Sequence, residues 1–294
     1  MIGIIGGGKW GQALLFALSQ KNKILIHSRQ EKNLPNFVSL EQILKSEYLI
    51  IAISTNAINS WLKDNFKFNG QKILIASKGI DTETGLFPSQ IFSQFVPEAN
   101  ISYLSGPSFA DEVMKSLPTA LVVNSKNLIL AEEFKNLFPN FIKIYISDDI
   151  IGSEIAGAYK NILAIASGIC EGLNLGNNAK ASLIARGLVE MARFGKKFGA
   201  TEETFFGLSG AGDLFLTANS TMSRNYRVGL MLAEGDNLNN ILLKLGEVAE
   251  GVKSVEAIVK IRERDNLYTP IADQIYNIIY KNITPKESLR NLLK

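Results

Sequence analysis

The chain begins Met1-Ile2-Gly3-Ile4-Ile5-Gly6-Gly7-Gly8-Lys9-Trp10-Gly11, an apolar β-branched run that breaks into glycines and then into a helical pattern over about Lys9–Gln20. Gly6, Gly8 and Gly11 have the spacing G-x-G-x-x-G. That string is weak by itself and gains weight between a predicted strand and a predicted helix. In this setting Gly6 permits the tight turn and Gly8 lets the backbone approach a pyrophosphate. Gly11 lets the helix lie close to the strand, and the helix N-terminus faces the negative charge. The competing reading is a glycine-rich turn that holds no ligand.

Outward from this turn, short β-branched runs recur: KILIH at 23–27, YLIIAI at 48–53, KILIAS at 72–77 and ISYLSG at 101–106. Their alternation with helical segments predicts βαβ units and a mostly parallel sheet. Two further strands are expected at Thr119–Val123 and Phe141–Ile146, flanking a helix over Leu128–Phe138. From Ile150 the pattern changes to long segments with apolar residues at three- and four-residue spacing, such as Ile155, Tyr159, Ile162 and Ala166. The expected fold class is therefore α/β: a Rossmann-like dinucleotide-binding domain over 1–148, then an all-helical substrate and catalytic domain over 149–294.

The strand Lys23–His27 should end beside the adenosine ribose, where an Asp or Glu accepts the 2′-hydroxyl of NAD. Here stand His27, Ser28 and Arg29. An acid is missing and a guanidinium is present, which favours a 2′-phosphate and hence NADP(H), with NAD(H) as the alternative. The competing reading leaves Arg29 on the solvated surface, and His27 reads as a strand-end packing residue.

Composition narrows the chemistry. With 294 residues, 46% hydrophobic and 20% charged, the chain has room for two ordinary cores and the make-up of a folded globular protein. A net charge of +3 without a dense basic run gives little support to a nucleic-acid or membrane-surface partner. No secretory leader or membrane-spanning run is recognisable, so a cytoplasmic location is expected. Cys170 is the only cysteine and His27 the only histidine, which removes internal disulfides, two-His zinc sites and Ser/His relays. Cys170 reads as a buried small apolar side chain, no metal site is expected, and acid–base work falls to Lys, Asp, Glu or Tyr.

Lys160 lies in IIGSEIAGAYKNILAIASGI, where Glu154 is the only other charge. A buried ammonium is costly unless a pocket and partners hold it. Burial and a neighbouring cation would lower its pKa towards neutrality, which suits a group that donates a proton in one direction and accepts it in the other. A lysine snorkelling from the helix edge is the bland alternative.

The strings ASKGIDTETG, SGPSFADEV with LPTA, YKNILAIASGICEGL, GLSGAGDLFLT and SRNYR, in this order, resemble the bacterial NAD(P)-dependent glycerol-3-phosphate dehydrogenase family, from Gly3 to about Ile279. The resemblance implies hydride transfer from NAD(P)H to C2 of dihydroxyacetone phosphate, giving sn-glycerol 3-phosphate for phospholipid synthesis. It makes Lys160 the general acid/base and Lys78 a second cation at substrate and cofactor. Asn161 and Asp213 would hold substrate hydroxyls and orient the lysines, with Gly106, Ser108 and Thr217 lining the same cleft. Ser223, Arg224 and Asn225 would meet the substrate phosphate; an Arg fork at a helix start suits a dianion on independent grounds. Lys9, Trp10, Ala110, Val248 and Glu250 would surround the cofactor, with Arg224 near both ligands. Partners are thus the two phosphates of the reaction, with a homodimer as the one assembly considered.

Two departures from the family pattern stand out. The stretch between His27 and Tyr48 is short, so the adenosine end is expected to be more open and the NADPH preference modest. Lys9 occupies a position where a small Ser is common, and its cation would either contact the pyrophosphate or point to solvent. Two other readings compete: a related dehydrogenase of small hydroxy acids, against which SRNYR argues by supplying a phosphate site, and a nucleotide-sensing module without turnover. The joint presence of Lys160, Asn161, Asp213 and Arg224 argues against the second.

Overall fold

The computed structural model describes residues 1–246 and 249–292. Contacts divide the chain into two compact units, one comprising 1–78 and 87–154, the other 79–86 and 155–294. The division falls inside the helix Ile150–Gly172, between Glu154 and Ile155.

The first unit is built on a seven-stranded sheet: β1 (Ile2–Ile5), β2 (Ile24–His27), β3 (Tyr48–Ile51), β4 (Lys72–Ile75), β5 (Ile101–Ser105), β6 (Thr119–Asn124) and β7 (Ile142–Ser147). Their order is β2-β1-β3-β4-β5-β6-β7, and every pairing is parallel except β5 with β6. The central strands β1 and β5 are buried along their whole length, whereas the edge strands β2 and β7 begin with buried residues alternating with more exposed ones. Continuous apolar runs mark strands covered on both faces, and alternation marks the edges. Ile4, Leu14, Leu18, Ile26, Leu74 and Phe134 belong to one core cluster of this unit.

Because β1 pairs with β2 on one side and β3 on the other, chain direction across the sheet reverses at β1. The crevice beyond the carboxyl ends of β1 and β3 is the topological switch point, where open α/β sheets take ligands. The helix Lys9–Ser19 starts there, immediately after the glycine turn.

The short stretch after Arg29 is closed at its base. Ile26 N donates to Asn36 O (3.1 Å) and Val38 N to Ile26 O (3.0 Å), which brings residues 36–38 back beside β2. His27 Nδ1 lies 3.0 Å from Val38 O and its ring packs against Phe37, the strand-end role expected of it.

In the second unit every described strand is absent and helices account for the core. The helix Ile150–Gly172 starts on Asp149, whose Oδ1 accepts Gly152 N at 2.9 Å. It is buried on all faces from 152 to 170, Cys170 included, so the three-to-four spacing of its apolar residues marks no solvated side. The helix Arg224–Ala233 crosses it at close range: a Cβ on Gly168 would stand 2.1 Å from Tyr226 O, and one on Gly229 2.1 Å from Ile165 O. Only glycines permit that approach. Glu190 ties another helix to the same core, accepting Ile271 N (2.8 Å), Ala272 N (3.0 Å) and the Tyr159 hydroxyl (3.0 Å). No helix among the described residues is long and apolar enough to cross a membrane.

Candidate active site

The glycine turn of the first unit has the shape its sequence predicts. Gly6 has φ +121°, and a Cβ there would meet Ala52 O at 2.3 Å, just past the end of β3. A Cβ on Gly11 would collide with Gly6 O at 1.8 Å, so this position brings helix and turn together. A Cβ on Gly8 would instead stand in open space, with no heavy atom within 4 Å. Gly8 is also the N-cap of the helix and offers no side chain to cap it. A close turn, a close helix and an open glycine at an uncapped helix start fit the pyrophosphate of a dinucleotide. Lys9 is exposed there, and Trp10 packs partly buried against the core. Arg29 is exposed beyond β2, and Ala110 is half-buried at the start of a short helix.

Two strings of the first unit converge past the ends of β4 and β5. Lys78 Nζ donates to Gly106 O at 3.1 Å and lies 3.5 Å from Ser108 Oγ, while Ser108 Oγ itself donates to Gly106 O at 3.1 Å. The Lys78 carbonyl accepts the Thr55 hydroxyl at 2.9 Å. Gly106 has φ +104°, so its carbonyl is turned to Lys78 by a backbone form that a side chain would strain. The rest of ASKGIDTETG after Lys78 belongs to the second unit and is scaffold there: buried Asp81 accepts Thr84 N and Thr84 Oγ1, each at 2.8 Å.

In the second unit Lys160 is 8% exposed, which removes the snorkelling alternative. Its Nζ donates to Asp213 Oδ1 at 2.5 Å and to Thr217 Oγ1 at 3.2 Å. Asp213 follows a π-helical turn, Leu208–Gly212, and opens the helix Asp213–Ala218. Such turns redirect side chains that a regular helix would aim elsewhere. Thr217 lies one helical turn on and donates to Asp213 O at 2.6 Å, which leaves its oxygen lone pairs for the ammonium. Burial opposes a charge on Lys160, and the buried Asp213 carboxylate favours it.

Asn161, next to Lys160, links this pair to SRNYR. Asn225 Nδ2 donates to Asn161 Oδ1 at 2.9 Å, and Asn225 Oδ1 accepts Gly251 N at 2.9 Å. Asn161 Nδ2 donates to Gly157 O at 3.2 Å and lies 3.5 Å from Glu250 Oε2. Much of both amides is thus spent inside the protein, a fact that the family positions alone do not reveal. Ser223 is the N-cap of the helix Arg224–Ala233, its Oγ accepting Tyr226 N at 3.3 Å, and Arg224 is exposed in the first turn. Val248 lies outside the described residues.

One buried acid escaped the functional reading. Glu154 is fully buried; its oxygens accept Ser89 N (2.7 Å) and Ser89 Oγ (2.5 Å), and burial pushes its carboxyl up to about 8. Its sequence signal was the lone acid in an apolar helix. Among the described residues no group of three or more His, Cys, Asp or Glu side chains is placed to hold a metal.

Comparison with known proteins shows the family. Residues 23–131 match the model for the N-terminus of NAD-dependent glycerol-3-phosphate dehydrogenase, and 149–290 match that for its C-terminus. The glycerol-3-phosphate dehydrogenase [NAD(P)+] of Sulfurimonas denitrificans is 57% identical over 292 residues, covering 99% of this chain and 98% of the relative. That of Campylobacter jejuni is 55% identical over 293 residues, covering 100% and 98%. A crystal structure of glycerol-3-phosphate dehydrogenase from Coxiella burnetii superposes with a TM-score of 0.91 at 29% identity, covering 100% of this chain and 98% of that one. With sequence matched over nearly its whole length and the fold matched as well, the chain belongs to the NAD(P)-dependent glycerol-3-phosphate dehydrogenase family of oxidoreductases.

Proposed function

We propose that this chain interconverts dihydroxyacetone phosphate and sn-glycerol 3-phosphate, with NADPH used at least as well as NADH, to supply glycerol phosphate for phospholipid synthesis. The observation that carries the reading is the 2.9 Å bond from Asn225 to Asn161. It ties the residue beside a buried, carboxylate-paired lysine to the residue beside an exposed arginine at a helix start. A proton donor and a phosphate anchor are thereby held in one rigid framework.

When bound, the reduced nicotinamide supplies a hydride to C2 of the ketone. Lys160, charged and held by Asp213, gives a proton to the carbonyl oxygen, so the C=O group becomes CH–OH. In the reverse direction neutral Lys160 takes the hydroxyl proton. Asp213 and Thr217 fix the ammonium and limit its rotation. Lys78, with one donor on Gly106 O, is the cation that the first unit offers to the bound ligands, as preorganised charge is worth most where charge develops. Arg224 binds the substrate phosphate through its planar fork, on a helix that Ser223 caps. Gly6, Gly8 and Gly11 shape the pyrophosphate seat, and Arg29 favours a 2′-phosphate.

The test is NADPH oxidation followed spectrophotometrically with dihydroxyacetone phosphate and with small 2-oxo acids that lack phosphate. Turnover confined to the phosphorylated ketone supports the reading; turnover of the acids alone supports the hydroxy-acid alternative.

A further inference from the structure

The glycine turn has a second neighbour besides its own helix. Lys32 reaches back from the loop after β2, and its Nζ donates to Gly7 O at 2.7 Å. A Cβ on Gly7 would meet Ser28 Oγ at 3.0 Å and Lys32 Cδ at 3.4 Å, so Ser28 and Lys32 lie together against the β2 side of the turn. Ser28 Oγ is itself turned away onto Gln30 O at 2.5 Å. The loop cannot swing out from its base, because Ile26 holds Asn36 and Val38 through backbone bonds.

In this fold the pyrophosphate sits at the helix start and the adenosine ribose at the end of β2. The cation against Gly7 is therefore on the ribose side, where an NAD-specific site keeps a carboxylate. We propose that Lys32 determines cofactor specificity by binding the 2′-phosphate of the adenosine ribose together with Arg29. The inference rests on the NADPH reading given above and adds a residue to it. An ammonium has three donors; the Gly7 carbonyl takes one, leaving two for a phosphate. Anchoring on that carbonyl also pre-orders a flexible side chain, which lowers the entropy cost of binding. Both side chains are exposed, but Lys32 is already anchored on Gly7 O whereas Arg29 must be ordered by the ligand, so Lys32 carries the larger share of the discrimination.

Adenosine 2′,5′-bisphosphate and 5′-AMP differ only in the 2′-phosphate, and calorimetry gives Kd for both without turnover. Lys32→Ala in the full chain should weaken the bisphosphate on the order of tenfold, the worth of one charge-assisted hydrogen bond, and leave 5′-AMP unchanged. Lys32→Arg should recover most of the loss, which separates charge from a collapsed loop. A loss shared equally by both nucleotides, or one that Lys32→Arg does not recover, overturns the assignment. So does a wild-type preference that survives Lys32→Ala, and in that case the NADPH reading stands without Lys32. A wild type that binds both nucleotides alike overturns the NADPH reading itself.

Discussion

Lys160 Nζ lies 2.5 Å from Asp213 Oδ1, in a pair whose side chains are 10% and 1% exposed. Two charges so far from water persist because each satisfies the other, and removing one leaves the other buried and uncompensated. Asp213→Asn keeps the shape and loses the charge. It should destabilise the protein by about 3–5 kcal/mol in chemical denaturation and lower kcat as well. Unchanged stability would show that the two groups are not held as an ion pair.

Arg224 stands exposed in the first turn of its helix, where its planar fork can meet a bound phosphate. Arg224→Ala should raise KM for dihydroxyacetone phosphate by an amount at the lower end of the range for a lost charge pair, about 2 kcal/mol, or some tens-fold. A KM equal to that of the wild type would return SRNYR to a solvated basic turn.

Glu154 gives a pH dependence whose sign can be worked out. Its carboxyl titrates at about 8 in the folded protein against an ordinary value of 4.5, because burial penalises the charged form more than Ser89 helps it. Between those values the folded state holds a proton that the unfolded state has lost, so stability falls as pH rises from about 4.5 to about 8. Glu154→Gln imitates the protonated acid and can still exchange hydrogen bonds with Ser89. Urea unfolding of the two proteins should agree near the acid end of that window and favour the variant above it. A constant difference across the window would assign Glu154 an ordinary titration.

The sheet and its ligand turn were legible because their causes are local. A β-branched run before Gly6, Gly8 and Gly11 can hardly fold otherwise, and the burial of β1 follows from its composition. The buried lysine was legible for the same reason, since the segment around Lys160 offers no polar face. The antiparallel entry of β6 was not, because nothing within Thr119–Asn124 encodes the direction in which its neighbour runs. Lys32 was missed because its contact depends on a loop returning to β2 at Asn36–Val38, a tertiary event without periodicity. Resemblance placed Asn161 and Asn225 on the substrate, but only coordinates show that they bond to each other.

Lys160 is the proposed proton donor and acceptor of the reaction, and the decisive measurement is Lys160→Met, with kcat and the NADPH dissociation constant taken on the same preparation. Methionine keeps the length of the side chain, fills the buried space and removes the titratable group. The expected result is a fall in kcat of about 10²–10⁴-fold, the usual contribution of general acid–base catalysis, with NADPH bound almost as tightly as by the wild type. A kcat near that of the wild type would contradict it.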